Sequence, residues 1–550
     1  MKKMFVCGLF LLLCAWLISP AQAETVVAVG SVKSLDALME KADDLLDVVD
    51  RGDFKAAFGA SKFLFTETGP VGAILDTSRP AGLIVLLKED CEKCPVTGFV
   101  AIPVRNWDKL LGFAKSKNVP LEEQGENLWK IAGPKGKTVF VKKDGDWLLA
   151  AEKECGFACV DYAKFIAENT ERVDVGFSIF AANIPDKYKE KGVELLGKFL
   201  KKGAKKHLKG EAPSEAAVAA CKNLLSHIKG GLEDLDMITY GHCWNMDADE
   251  YSLSVTVTAK AGTETARKLE GVGTPRKTNF AGFRCEEATF VLAKNFIFRP
   301  FSKDLLNEIG QKHGEKVEKK IREKAGEHAD GAVAFFKKNQ ELIGGMLLDG
   351  NIDSALAVKI AEDNVVLAAA RYVPDGYAWE EQFKKVVAFA KAKGGEKCEK
   401  HVKESGTFEK GDLHIYWAKI AIPEKVKGEC REKLVKALGG EAVPAVLVFG
   451  PKAVYFAAGK EAAGVLKHCI EASAEPKELP VFYAHLSAMD VLKLVASCDK
   501  CPKQADLQKS LKKIGDVGRG LLTWAPEKVE NGFKVRFRAT TSAVKMLKGI

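Results

Sequence analysis

The sequence predicts an α+β fold of two tandem, duplicated units, each a mainly antiparallel sheet with helices packed on one face. The first observation behind this is an ungapped internal match. Val139–Glu154 (VFVKKDGDWLLAAEKE) aligns on Val446–Glu461 (VLVFGPKAVYFAAGKE), with Val139, Val141, Ala150, Ala151, Lys153 and Glu154 meeting identical residues. Both segments read as hairpins, with apolar alternation broken by a turn at Asp144-Gly145 or Gly450-Pro451. The second observation pairs Cys243–Ala259 with Thr523–Ala539: Trp244 meets Trp524, and Leu253, Val255 and Val257 meet Phe533, Val535 and Phe537 at strand period. The third sets FAKSK at Phe113–Lys117 on FAKAK at Phe389–Lys393. All three occur in the same order, which gives a repeat the size of an ordinary domain, larger than a solenoid repeat.

Element by element, Thr25–Val29 reads as a short strand, and Ser34 then caps a helix whose Leu35, Leu38, Met39, Ala42, Leu45, Leu46 and Val49 share one face. Leu83–Leu87 and Phe99–Val104 are strands joined across the CEKC turn. Asn106 caps a helix to about Lys117. The first repeated hairpin, a helix after Asp161 and a strand at Val175–Phe180 follow. Each unit is expected to end in a hairpin and a short helix, Thr263–Val272 in the first and Thr541–Ile550 in the second. Hairpins beside helices, without a regular crossover rhythm, exclude a parallel sheet. The spacing of the landmarks places one insertion within Gly394–Ala445 and another within Pro185–Asp236. The join falls in the Gly, Thr and Pro cluster of Val272–Phe283, so the expected division is a leader at 1–23 and units at 24–275 and 276–550.

That leader is a secretory signal peptide. Lys2 and Lys3 precede an apolar run from Met4 to Ile18, and Ala21 and Ala23 supply small residues before cleavage at Glu24. The run is shorter than the roughly 20 residues that cross a bilayer, and no later apolar stretch reaches that length. Cys14 follows Leu11-Leu12-Leu13 where a lipidated cysteine wants a small residue, so lipidation is not expected. The mature protein is expected to be exported, periplasmic or secreted, with no transmembrane anchor. A net charge of +9 over 550 residues, with both signs interleaved, argues against a nucleic-acid partner.

Of the 14 cysteines, two lie in the leader and an even number remains for an oxidising compartment. Disulfides are expected at Cys91–Cys94, Cys155–Cys159 and Cys498–Cys501, which are nearly adjacent pairs, and at Cys398–Cys430, which share one insertion. A thioredoxin-like role for CEKC would need a helix N-terminus, but Pro95 and a strand follow. The pairing of Cys221, Cys243, Cys285 and Cys469 stays open.

No metal, cofactor or catalytic residue is expected. The nine histidines show no HExxH and no HxH, and His242-Cys243 and His468-Cys469 read as neighbours on opposite faces of strands. AGPKGKT at Ala132–Thr138 has Ile131 where a phosphate loop needs Gly, and NMDADE at Asn245–Glu250 has Glu250 at the obligatory Gly of a calcium loop. Both are read as turns. Asp236 and Asp516 align across the copies as turn or cap aspartates. The stretch Lys187–Lys209 reads as a helix with a solvated basic face and is the first place to seek a partner surface.

The segments AVGSVKSLDAL, LDTSRPAGLIVLL and NFAGF resemble those of large exported bacterial proteins of unknown function with a duplicated α+β unit. That resemblance covers most of the mature chain. It implies an extracytoplasmic location and the two-unit layout, and supplies no functional residues. The expected function is an exported two-domain envelope protein with a binding or structural role, able to hold an apolar ligand and to meet an envelope protein or lipid. The alternative is an extracytoplasmic hydrolase with a site dispersed in sequence.

Overall fold

The computed structural model describes residues 24–48, 63–66, 68–88, 96–132, 138–152, 160–171, 173–207, 225–226, 228–245, 248–297, 311, 314–315, 317–323, 326, 329–361, 364–394, 400–422, 429–496, 504–514 and 518–547. The expected leader, the CEKC, CGFAC and CDKC cysteines, Cys398 and the centre of AGPKGKT lie outside them. Of Cys430 only the backbone is described. The protein is mixed helix and strand, built on antiparallel sheet. It divides into two compact units, one of Met1–Glu194, Ile228–Gly271 and Lys528–Val544, the other of Leu195–His227, Val272–Glu527 and Lys545–Ile550. The sequence division put Lys528–Val544 with the second unit, whereas in the structure it packs with the first.

The first unit runs β1 (Glu24–Val32), α1 (Leu35–Val48), β2 (Ala81–Lys88), β3 (Val96–Pro103), α2 (Trp107–Ser116), β4 (Leu121–Gly125), β5 (Leu128–Ala132), β6 (Thr138–Asp144), β7 (Trp147–Ala151), α3 (Tyr162–Thr170), β8 (Val175–Phe180), α4 (Asp186–His207, of which the part up to Glu194 belongs to this unit), β9 (Leu235–Asn245), β10 (Glu250–Ala259) and α5 (Glu264–Gly273). Its helices begin where local chemistry sets them. Ser34 Oγ accepts from Ala37 N at 3.1 Å, Asn106 Oδ1 from Lys109 N at 2.9 Å and Asp161 Oδ1 from Lys164 N at 3.1 Å. The strands pair in the order β4-β5-β6-β7-β3-β2-β1-β8-β9-β10, all antiparallel. Helix α3 covers one face, where Ile166 and Tyr162 pack on Ile84, Phe99 and Leu149. Gly176 and Gly241 admit Val173 on this face, since a Cβ at Gly241 would lie 2.0 Å from a Val173 methyl.

The second unit runs β11 (Arg276–Thr278), β12 (Phe290–Ile297), α6 (Ala329–Asp349), β13 (Asn351–Ala361), β14 (Asn364–Tyr372), α7 (Gly376–Gly394), β15 (Val402–Lys410), β16 (Leu413–Ala421), α8 (Glu429–Leu438), β17 (Ala442–Gly450), β18 (Ala453–Gly459), α9 (Ala462–Glu471), β19 (Lys477–Leu479), β20 (Phe482–Ser487), α10 (Ala488–Ala496), α11 (Gln504–Ile514) and β21 (Leu521–Val529). The pairing order is β15-β16-β17-β18-β14-β13-β12-β20-β21, again antiparallel. Here α9 covers one face, with Ala462, Leu466 and Cys469 on Ala368, Val446 and Ala457, and Phe280 and Phe283 close the same core.

The chain ends in β22 (Gly532–Thr540) and α12 (Thr541–Leu547). β22 lies in the first unit, antiparallel to β10, with Val535 opposite Val255, Phe537 opposite Leu253 and Phe533 opposite Val257. Both strands are apolar at alternate positions, so this register gathers those residues on one face.

Helices lie against both faces in each unit, which corrects the expectation of a single covered face. In the first unit α2 stacks Trp107 on Trp129 at 6.0 Å, on the side of the sheet away from α3. In the second, α7 sets Phe383 against Tyr416 at 5.1 Å and Phe449 at 5.7 Å, while α9 packs on Val448 from the other side. Strands β2, β3, β7 and β17 are apolar on both sides, and there each side needs cover.

Candidate functional site

Register identifies what the second face carries. In the first unit, cross-strand partners run Val535–Val255–Tyr240–Phe177 over β22, β10, β9 and β8. Flanking rows add Phe537–Leu253–His242–Val175 and Phe533–Val257–Ile238–Ile179. Residues opposite one another share a face, so three rows deep this surface is apolar apart from His242. The other side of the same strands bears Ser178, Thr239, Ser252 and Ser254, all buried.

On β8, β9 and β10 the polar side is therefore packed and the apolar side open. Tyr240 keeps 41 % of its surface exposed and Phe537 37 %, and the rest of the rows are half-buried. From Ile238 to Trp244 this face extends about 20 Å along the strand. Contiguous open apolar surface of this kind marks a ligand or partner site.

At one end stands a packed group of rings. His242 Nδ1 and Tyr251 OH are 2.6 Å apart, and Trp244 lies 5.4 Å from Tyr251 between ring centres. Burial lowers the His242 pKa below its ordinary value and pushes the Tyr251 phenol up to about 12. Both are neutral at pH 7, so the group can share hydrogen bonds with a ligand without charge. Trp244 Nε1 is buried without a hydrogen-bond partner. Between the lowered value and about 6.5 the unfolded chain binds the His242 proton and the folded chain does not, so stability falls as pH drops through that window. His242→Phe is expected to remove that share of the acid-side loss, read as unfolding midpoints of both proteins between pH 7 and 5.

The second unit has its own open face. Trp524, Ala484, Leu292, Leu356, Ala369, Phe456 and Leu447 stand in one row across seven strands. Trp524 is 47 % and Phe456 38 % exposed, and Phe482 lies 4.8 Å from Trp524 between ring centres.

Two polar clusters of the second unit test the hydrolase alternative. His485, Ser487 and Asp490 gather with Arg519, but His485 is 4 % and Ser487 0 % exposed. The histidine places Nε2 on Ala288 O at 2.9 Å and Nδ1 on Tyr483 OH at 3.1 Å, so neither nitrogen remains to activate a serine. Asp490 pairs with Arg519 at 2.7 Å and accepts from Thr289 Oγ1 at 3.1 Å. This network ties β12 to α10. The other cluster centres on Glu380 of α7, whose carboxylate accepts from Tyr416 OH, from His414 Nδ1 at 2.7 Å and from Lys384 Nζ at 3.2 Å. Burial acts to raise the Glu380 pKa, but these three donors outweigh it and hold the carboxyl below its ordinary range. Burial and then Glu380 push the Tyr416 phenol up to about 12. Tyr377 stacks on His414 at 4.8 Å.

Other expectations resolve residue by residue. Asp236 accepts weakly from Thr258 Oγ1 at 3.5 Å, and Asp516 lies outside the described residues. The Lys-rich stretch forms most of α4. His468 and Cys469 sit on α9, which corrects the strand assigned to them: the apolar run from Ala462 to Ile470 repeats at helical spacing. His242 and Cys243 do lie on a strand, β9. Cys285 and Cys469 are free thiols. Among the described residues no group of three or more His, Cys, Asp or Glu could hold a metal ion, and no helix is long and apolar enough to cross a membrane. Sequence reasoning missed Tyr240, His242, Trp244 and Tyr251 as one group, although YGHCW does place three of the rings at strand period. Glu380 and His414 left no such trace, being joined only through the fold.

Fold and site together define a mixed helix-and-strand protein on antiparallel sheet, with an open apolar face in each compact unit. Comparison with known protein families, with characterised proteins and with solved structures finds no match to this chain.

Proposed function

We propose that this is an exported envelope protein of two duplicated units that binds the acyl chain of a lipid or another elongated apolar ligand on its open sheet faces. The single observation that carries the reading is the Val535–Val255–Tyr240–Phe177 row, apolar across four strands while the reverse side of β8, β9 and β10 carries the buried Ser178, Thr239, Ser252 and Ser254. Covering one half-exposed aliphatic or aromatic side chain contributes on the order of 1 kcal/mol, so about eight such contacts along the three rows correspond to the ~8 kcal/mol of micromolar binding. The neutral His242 and Tyr251 pair at the end of the row suits a hydrogen-bonding head group.

Duplication is supported by the order of the three sequence landmarks and by the strand pairing of each unit, although the first pair of hairpins closes at Asp144–Trp147 and Gly450–Ala453, one residue out of the ungapped alignment. The order β4-β5-β6-β7-β3-β2-β1-β8-β9 has the same sequence of hairpins and long-range pairings as β15-β16-β17-β18-β14-β13-β12-β20-β21. Trp244 and Trp524 both stand on the open face of their own unit. Export is supported by the charged and apolar run before Ala23.

The test is a titration of the full mature chain with a fluorescent fatty acid. Val255→Lys together with Tyr240→Lys is expected to weaken binding at least tenfold with the circular dichroism spectrum unchanged, because two charges would have to be desolvated. Unaltered affinity in the double variant would remove this face as the binding site. A hydrolase reading has one observation in its favour, the carboxylate-oriented His414. Among the described residues no hydroxyl or thiol is hydrogen-bonded to that ring, and binding is the better supported reading.

A further inference from the structure

We infer that strand β15 of the second unit is a self-association edge, pairing antiparallel with β15 of a second copy of this chain about a two-fold axis at Thr407. Among the described residues β15 pairs with β16 alone, and each of its residues except Gly406 is exposed. The outward backbone N–H and C=O groups of such a strand are a template for another. A bulge between Val402 and Glu404 ends the regular ladder on one side, which leaves Glu404–Lys410, about 20 Å of regular edge.

Symmetry and side chains select the register. A two-fold axis normal to the sheet keeps each face continuous, so residues that meet must share a face. With Thr407 opposite itself, Glu404 meets Lys410 of the second copy, Ser405 meets Glu409 and Gly406 meets Phe408, and strand period puts both members of each pair on one face. The Glu404–Lys410 contact occurs twice by symmetry. Phe408 is 53 % and Trp417 36 % exposed. Trp417 stands opposite Gly406 on β16, its indole so close that a Cβ at Gly406 would lie 2.6 Å from Nε1. Gly406 therefore leaves a gap at the edge beside that indole, and an aromatic ring opposite an edge glycine covers the bare backbone. The row Val446–Trp417–Gly406 then continues as Phe408–Ile415–Val448 of the second copy, and both exposed rings gain cover from water. Moving the axis to Gly406 sets Phe408 opposite Glu404, and moving it to Phe408 carries Glu404 past the end of β15 in the second copy. Strand β4, paired only with β5 among the described residues, does not share this self-complementarity. It is five residues long, bulged between Glu123 and Gly125, and carries Glu122 and Glu123 without a lysine.

The test is sedimentation velocity of the full mature chain at concentrations up to about 100 µM, since the contact is at the small end of specific interfaces. A dimer is expected at the highest concentration. Phe408→Lys, Glu404→Lys and Lys410→Glu are each expected to sediment as monomers with the circular dichroism spectrum unchanged. Glu404 also pairs with Lys419 at 2.7 Å within the chain, but both side chains are exposed and losing that pair costs the fold little. Mixing Glu404→Lys with Lys410→Glu is expected to restore the dimer, because each mixed contact again sets opposite charges together. A wild-type protein that stays monomeric, a dimer untouched by Phe408→Lys, assemblies larger than a dimer, or a mixture that remains monomeric would each overturn the proposal.

Discussion

Replacing Phe283 by alanine is expected to destabilise the second unit by about 3–5 kcal/mol, the range for removing a fully buried aromatic ring. Phe283 is 0 % exposed. Its ring meets Phe280 edge-on at 6.2 Å and stacks on Tyr455 at 6.3 Å, and Phe280 in turn meets Tyr455 at 5.8 Å. These three rings join the 3-10 turn after β11 to the alanine-rich surface of β14 and β18, where Ala368, Ala370 and Ala457 leave room for them. Small residues on the strands cannot expand to fill the vacated volume, so the cavity persists and its cost adds to the lost transfer energy. A chain of two units does not unfold as one cooperative block, so a single midpoint would mix them. Hydrogen exchange resolved by peptide is the suitable measurement, with protection lost in β14, β18 and α9. A loss under 1 kcal/mol in those segments would mean that the ring is not part of this core.

Asp353→Ala is expected to be nearly as costly, about 3 kcal/mol, because it leaves buried donors without an acceptor. Asp353 on β13 is 3 % exposed and accepts from Thr278 Oγ1 at 2.6 Å, Asn279 N at 3.0 Å and Asn279 Nδ2 at 3.3 Å. Thr278 Oγ1 in turn accepts from Phe280 N at 3.1 Å, so the carboxylate fixes the segment that delivers Phe280 and Phe283. Burial raises the Asp353 pKa above its ordinary value and outweighs the donors that lower it. The folded chain therefore holds this proton over a window, starting near 3.8 and extending upward, in which the unfolded chain has lost it. Stability from this group falls as pH rises through that window. Asp353→Asn keeps an acceptor and does not titrate. The stability of the wild-type protein relative to Asp353→Asn should therefore grow as pH is lowered towards 4, in urea unfolding at each pH. The opposite slope would show the carboxylate to be stabilised as the anion.

The residues that could be read from the sequence are those whose partners are near in the chain. Ser34, Asn106 and Asp161 cap helices because each side chain reaches the backbone N–H three residues on. Val175–Phe180 is a strand with the expected bounds, and the turn at Asp144-Gly145 closes the first repeated hairpin with Gly145 at φ +59°. The site was legible only as alternation. Leu253, Val255 and Val257 announce one apolar face of β10. Nothing in their spacing says that Tyr240 and His242 lie on one side and Val535 and Phe537 on the other.

By itself the sequence determined the local elements, their caps and turns and the antiparallel mixed class, because side-chain period and hydrogen bonds across a few residues fix these without reference to the rest of the chain. Only the tertiary structure decided that β22 lies beside β10 within the first unit, that helices lie against both faces of each sheet, and that Glu380 meets His414 and Tyr416. The physical reason is that strand period tells which residues share a face, whereas the neighbour a strand accepts is set by register and burial across long stretches of chain. An apolar face reads the same in sequence whether a helix covers it or leaves it open.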